Sequence, residues 1–140
     1  MYAFQPSEIG MPTKRKRWYA GHAIFIFKVK RARQQVFTVW ENVYLLKALS
    51  FAEAHRRTVI RAREDEEREG WRVDGQPAEL VLEGVRKVVE CTPDFLRYKA
   101  PCAYEPHDGM EVTFNSYRVD SREALRALLH GKEVTVTYEE

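Results

Sequence analysis

Cys102, His107 and Asp108 are the one local trio in this 140-residue chain that supplies a nucleophile, a base and an orienting acid. A reactive cysteine needs a neighbouring base and a lowered pKa, which such a trio could provide. Asp108-Gly109, however, stands directly before an apolar run and is a turn signature. Cys91 closes another apolar run and reads as the end of a buried strand. The remaining histidines, His22, His55 and His130, are scattered over separate elements and short of the three or four convergent ligands that zinc requires. No glycine-rich phosphate loop, GxSxG elbow or HExxH pair is present. The acids of "REDEEREG" (63–70) read as the solvated end of a helix, and His130 as a complement to a helix C-terminus. The chain is therefore read as non-enzymatic, without metal or cofactor, with a small enzyme of unknown reaction as the second alternative.

Charge points elsewhere. The net charge is only +2, yet residues 9–40 hold eight lysines and arginines and no acid. From Glu41 onward, acids outnumber bases 20 to 15. Segregation of this kind bears on association and not on fold. The basic residues flank one apolar stretch, "KRKRWYAGHAIFIFKVKRAR" (14–33). With two cysteines, no apolar leader in "MYAFQPSEIGMP" and no apolar run long enough to cross a bilayer, a cytoplasmic setting with reduced thiols and no membrane contact is expected.

Positioning these residues requires a scaffold, and its elements can be read in turn. Residues 1–13 form an irregular tail, and residues 14–140 a single domain. Trp18 to Lys30 predicts a strand, "RARQQ" a hairpin loop, and Val36 to Leu46 a second strand. Ser50 with Glu53 has capping-box spacing and opens a helix. Phe51, Ala54, Thr58, Val59 and Ala62 form its buried stripe, and Gly70 closes it. Ala78 to Cys91 predicts a third strand, bulged near Gly84, and "TPDFLRYK" a short helix. Met110 to Val119 predicts a fourth strand. Asp120 caps a helix burying Leu125, Leu128 and Leu129, and Val134, Val136 and Tyr138 alternate along a closing strand. The expectation is an α+β domain in the order ββαββαβ. Its antiparallel sheet has about five strands, with two helices packed on one face in a ferredoxin-like arrangement.

Such a sheet leaves one face bare. Odd positions of the first strand and odd positions of the second read as core. Trp18, His22, Ile24, Ile26, Lys28 and Lys30 would then share the open face with Thr38, Trp40, Asn42 and Tyr44. A greasy, cationic platform of this size demands a cover. The expected binding set is Lys14, Arg15, Lys16, Arg17, Trp18, His22, Lys28, Lys30, Arg31, Arg33, Trp40 and Tyr44. Its expected occupant is a protein, either a second copy in a homodimer or an acidic partner such as a toxin or regulatory subunit. The alternative is nucleic acid, with cations on phosphates and aromatic rings stacked on bases.

Trp18-Tyr19 opening a strand, the Glu-Ala helix "SFAEA" and the strand "DGMEVTFNSYRV" resemble a widespread bacterial family of small domains of unknown function, over about Trp18 to Val119. The resemblance implies an α+β fold and a bacterial cytosolic setting. It carries no assigned activity and no catalytic residues.

Overall fold

The computed structural model describes residues 15–30, 33–91 and 107–139. Its first two strands, β1 (Arg17–Val29) and β2 (Phe37–Ala48), form an antiparallel hairpin. α1 (Phe51–Arg63) follows, then β3 (Glu67–Val73), β4 (Gln76–Cys91), β5 (Met110–Val119), α2 (Arg122–Leu129) and the two-residue β6 (Thr137–Tyr138). One six-stranded sheet results, in the order β3-β4-β1-β2-β5-β6, with every neighbouring pair antiparallel. The α+β class holds. The five-strand, ferredoxin-like order does not, because one strand was hidden in the stretch read as helix and the neighbours are not interleaved as that fold requires.

That extra strand, β3, corrects the length of the first helix. α1 stops at Arg63 with Glu64 as C-cap. Trp71 and Val73 then follow a two-residue period, and Trp71 pairs with the small Ala78 on β4. Gly70 does not cap the helix. It takes a φ of 91° where the β3–β4 register shifts, a conformation that glycine adopts without penalty. Two of the acids before it face inward: Asp65 accepts a bond from Tyr44 and Glu66 one from the Leu82 N–H. Glu64, Glu67 and Glu69 are exposed, as expected of a solvated stretch. The capping box is present as expected. Ser50 Oγ accepts from Glu53 N–H at 3.1 Å, and the Glu53 carboxylate accepts from Leu49 N–H at 3.1 Å.

Both helices were expected on one face, and they lie on opposite faces. In β1 and β2 each residue pairs with one of opposite parity, as in Phe25↔Trp40, Gly21↔Tyr44 and Ile24↔Glu41. Odd residues of β1 thus share a face with even residues of β2. α1 packs Ala54, Thr58 and Ala62 onto that face, over Tyr19, Ala23, Phe25, Tyr44 and Leu46. α2 packs Leu125 and Leu128 onto the other, over Ile24, Ile26, Val39, Val81 and Val119. The register follows from the turn. Gln34 accepts from Val29 N–H and donates to the Phe27 and Val36 carbonyls, replacing backbone pairing at the hairpin's end. A one-residue change there reverses the phase of the whole second strand.

α1 lies close to the sheet because its contacting face is small. A methyl built on Gly21 would sit 2.7 Å from Thr58 Cγ2 and 2.9 Å from its Cβ. Ser121 caps α2 by accepting from Ala124 N–H at 3.0 Å, one residue beyond the expected Asp120. Gly84 does mark an irregular stretch of β4, flanked by register shifts against β1. The closing strand is shorter than expected, pairing only at Thr137 and Tyr138, while Val134 and Val136 pack beside α2 on the core.

Candidate functional site

The opposite-face arrangement removes the bare platform. Tyr44 is fully enclosed on the α1 side, and Ile24 is fully enclosed on the α2 side. Trp18 and His22 share the α2 face, whereas Trp40 and Tyr44 share the α1 face. Nor do the cations converge. Arg15, Lys16 and Arg17 lie exposed at one end of β1, and Lys28 and Lys30 at the other, with Arg33 just beyond in the turn. Thirteen residues of strand separate those ends by about 40 Å. Arg17 pairs with Glu90 at 3.2 Å, and Lys47 lies 4.8 Å above the Trp18 ring. Lys14, Arg31, Cys102, the 1–13 tail and the "TPDFLRYK" segment lie outside the described residues.

His22 belongs to a closed polar cluster instead. Its Nδ1 is 2.8 Å from Glu41 Oε2, and Tyr117 OH donates to Glu41 Oε1 at 2.8 Å. Burial pushes the Glu41 carboxyl up, but the bonds to His22 and Tyr117 and the nearby Arg86 charge outweigh it and hold it below the usual range. Burial and the bond to Glu41 push the Tyr117 phenol well up. Each Glu41 oxygen therefore has its partner within the fold. Arg86, beside them, donates to the Leu128 carbonyl at 2.6 Å, tying β4 to the end of α2.

A second polar chain joins α1 to β2 and β5. Tyr44 OH donates to Asp65 at 2.6 Å, and Arg61 bonds Asp65 at 2.9 Å and the Gly109 carbonyl at 2.8 Å. The Arg61 guanidinium also stacks 4.8 Å above the Tyr44 ring. Arg57 donates to Asp108 at 2.7 Å and to the Lys47 carbonyl, and Asp108 accepts from Lys47 N–H at 2.8 Å. Asp108 is thus a structural turn residue. These bonds line a cleft of about 610 Å³ between α1 and the start of β5, containing Leu46, Ile60, His107 and Met110. Glu111 stands in it with its carboxyl pushed up by burial and by the charge of Asp65.

The part of the α1 face that no described residue covers is aromatic. A helix of thirteen residues is about 20 Å long, half the length of β1, and α1 covers the half around Tyr19 to Phe25. Beyond its C-terminus Phe27, Trp40 and Trp71 meet edge to face, with ring centroids 4.8–5.6 Å apart. Phe114 on β5 adds a fourth ring 6.0 Å from Trp40. Phe27, Trp40 and Trp71 wall a hollow of about 390 Å³, completed by Thr38, Arg72, Val73, Ser116 and Glu139. Sequence reading found Trp40 but missed Trp71 and Phe114. The period-two pair Trp71/Val73 after a glycine was the available signal.

The cleft and the hollow lie along one strand, β5. Its first half carries Val112 and Phe114, 46% and 56% exposed. Val112 is the extra residue of a bulge against β2. Among the described residues, nothing pairs with the outer edge of Met110–Asn115, since β6 reaches only Tyr117 and Arg118. Also among the described residues, no cluster of three His, Cys, Asp or Glu could hold a metal ion, and no helix is long and apolar enough to cross a membrane. Burial and Glu90 push the Cys91 thiol up, away from reactivity.

Fold and site together define a small α+β domain with a helix on each face of its sheet and a groove beside a strand edge that is unpaired among the described residues. The chain belongs to the family described as Domain of unknown function (DUF4288), which it matches over residues 18–100. No curated protein and no solved structure matches it.

Proposed function

We propose that the domain is a non-enzymatic protein-interaction module, seating an extended segment of a partner protein in the groove between α1 and β5. The partner's backbone continues the sheet at the outer edge of β5, and its side chains enter the cleft and the hollow. The observation that carries this reading is the exposure of Val112 and Phe114 beside an edge unpaired from Met110 to Asn115 among the described residues. Exposed apolar strand edges template pairing with another chain, and proteins without a use for one cover or charge it. The basic ends of β1 lie outside this groove and add long-range attraction to an acidic partner.

The test combines capture with local protection. Nuclease-treated lysate of the source cell is passed over the immobilised chain and over a Val112→Lys/Phe114→Lys variant. Both replaced residues are exposed, so the variant keeps its fold to within about 0.5 kcal/mol. A protein held by the original chain and released by the variant, with slowed amide exchange at 110–115 when bound, is expected. Light scattering reads the case in which that partner is a second copy. Equal capture by both chains, or binding lost on nuclease treatment, rejects the reading.

A further inference from the structure

The aromatic hollow has a polarity that its apolar walls do not suggest. Glu139 follows β6 and its N–H donates to the Ser116 carbonyl at 3.2 Å, which brings its side chain to the hollow's margin. Its carboxylate lies 3.5 Å from Thr38 Oγ1 and 3.4 Å from Ser116 Oγ, at the far limit of hydrogen bonding. Among the described residues no lysine or arginine forms an ion pair with it. Arg118 bonds Asp120 at 3.3 Å, and Arg72, which itself lines the hollow, bonds the Gly75 carbonyl at 2.9 Å. A carboxylate with weakly used oxygens thus stands against two indole rings set at 86° to each other.

Indole faces are negative and attract cations, the more so when the cation is partly desolvated. An anion would meet both Glu139 and the ring faces, with Arg72, bonded to the Gly75 carbonyl, as the one cation among the lining residues. Among cations, a guanidinium fits these features best. It is planar and weakly hydrated, so it stacks on one indole. Its fork of N–H donors also matches a carboxylate flanked by two hydroxyl oxygens. An ammonium is compact and strongly hydrated, and a quaternary ammonium has no donor for Glu139.

We propose that the hollow of Trp40, Trp71 and Glu139 receives an arginine side chain of the partner segment. This rests on the protein-interaction reading above and names the residue that anchors it. A segment paired along Met110–Asn115 passes Phe114, on the α1 face, and ends where Glu139 holds the Ser116 carbonyl. Its last side chains on that face therefore point towards the hollow.

The probe is N-acetyl-arginine methylamide, titrated against the full chain and followed by the indole N–H resonances of the three tryptophans. Trp18, on the opposite face, is the internal reference. The expected result is a saturable shift of Trp40 and Trp71 at millimolar probe with Trp18 unmoved. Glu139→Gln and the uncharged citrulline analogue are each expected to weaken binding about tenfold. Trp71→Phe keeps an aromatic ring against Phe27 and, with a smaller face, binds measurably less. The lysine analogue and choline serve as competitors. No shift of Trp40 and Trp71, equal binding of the citrulline analogue, or tighter binding of choline than of arginine overturns the proposal. If the arginine probe fails while capture still depends on Val112 and Phe114, the anchor is refuted and the groove stands. If it binds while capture is independent of those residues, the hollow's preference stands and the strand-edge reading falls.

Discussion

Glu41 and Glu139 are both carboxylates beside aromatic rings, on opposite faces of one sheet, and their surroundings treat them differently. Glu41 lies under the α2 face with each oxygen 2.8 Å from a partner, His22 or Tyr117. Glu139 lies at the α1-face margin with two contacts of 3.4–3.5 Å. A buried charge that uses its hydrogen-bonding capacity inside the fold stabilises it and has little left for a ligand. One that does not, beside exposed aromatic surface, remains available. Of the expected binding set, His22 is engaged by Glu41 inside the fold, whereas Trp40 lines the hollow beside Glu139.

The largest expected effect comes from breaking the frame that both sites share. Gly21→Ala places a methyl within 2.7–2.9 Å of Thr58 carbons and forces α1 away from the sheet. Overpacking of a tight contact costs about 3 kcal/mol at its upper range, read as a lowered midpoint in urea denaturation. Thr58→Ala on the Gly21→Ala background returns part of the loss, because contacting pairs couple. An additive double variant would show that the helix does not rest on Gly21.

The next effect separates the two carboxylates directly. Glu41→Ala leaves Tyr117 OH and His22 without their acceptor and is expected to destabilise the fold by about 2 kcal/mol. Glu139→Gln, at an exposed position, should shift stability by no more than about 0.5 kcal/mol. The pH dependence follows the same division. The folded-state pKa of Glu41 lies below its ordinary 4.5, so its ionised form is favoured in the fold. Its contribution is fully present above the unfolded-state pKa and is lost as pH falls through the folded value. Asp108, held low by Arg57 and the Lys47 N–H against the upward push of burial, acts in the same direction. Denaturation midpoints should therefore fall below about pH 4.5, and Glu41→Gln should flatten that limb.

The two faces also mark what could be read from the chain alone. The capping box at Ser50, the turn at Asp108-Gly109, the irregularity at Gly84 and the inward Leu125 and Leu128 are local signals, and each is where the residues placed it. The phase between β1 and β2 is not local, because it depends on how Gln34 fills the hairpin end. One clue was present nonetheless. "AIFIF" (23–27) is apolar at every position, as strands buried on both faces are, and all five residues are enclosed. β3 was obscured by eight consecutive residues of charge and glycine, of whose acids Asp65 and Glu66 turn inward to Tyr44, Arg61 and the Leu82 N–H. Trp71 joins Trp40 only once β3 lies beside β4, so the hollow had no signature in any single stretch.

The smallest effect tests whether the basic ends belong to either site. Arg15, Lys16 and Arg17 are exposed, and the Arg17–Glu90 pair has side chains 61% and 38% accessible. Exposed pairs of this kind contribute little, so replacing all three by glutamine should shift stability by under about 0.5 kcal/mol. The hollow lies beyond the far end of α1, well outside the Debye length of about 8 Å at physiological salt, so arginine-probe binding should be unchanged. Capture of an acidic partner should slow, with the association rate falling and the dissociation rate steady, because steering acts before contact. A mixed oligonucleotide that binds the original chain and is lost with the triple variant, its log K falling with log salt by about 0.7 per phosphate neutralised, would give the strand ends a separate nucleic-acid role. The partner groove would then hold only the contact and not the charge.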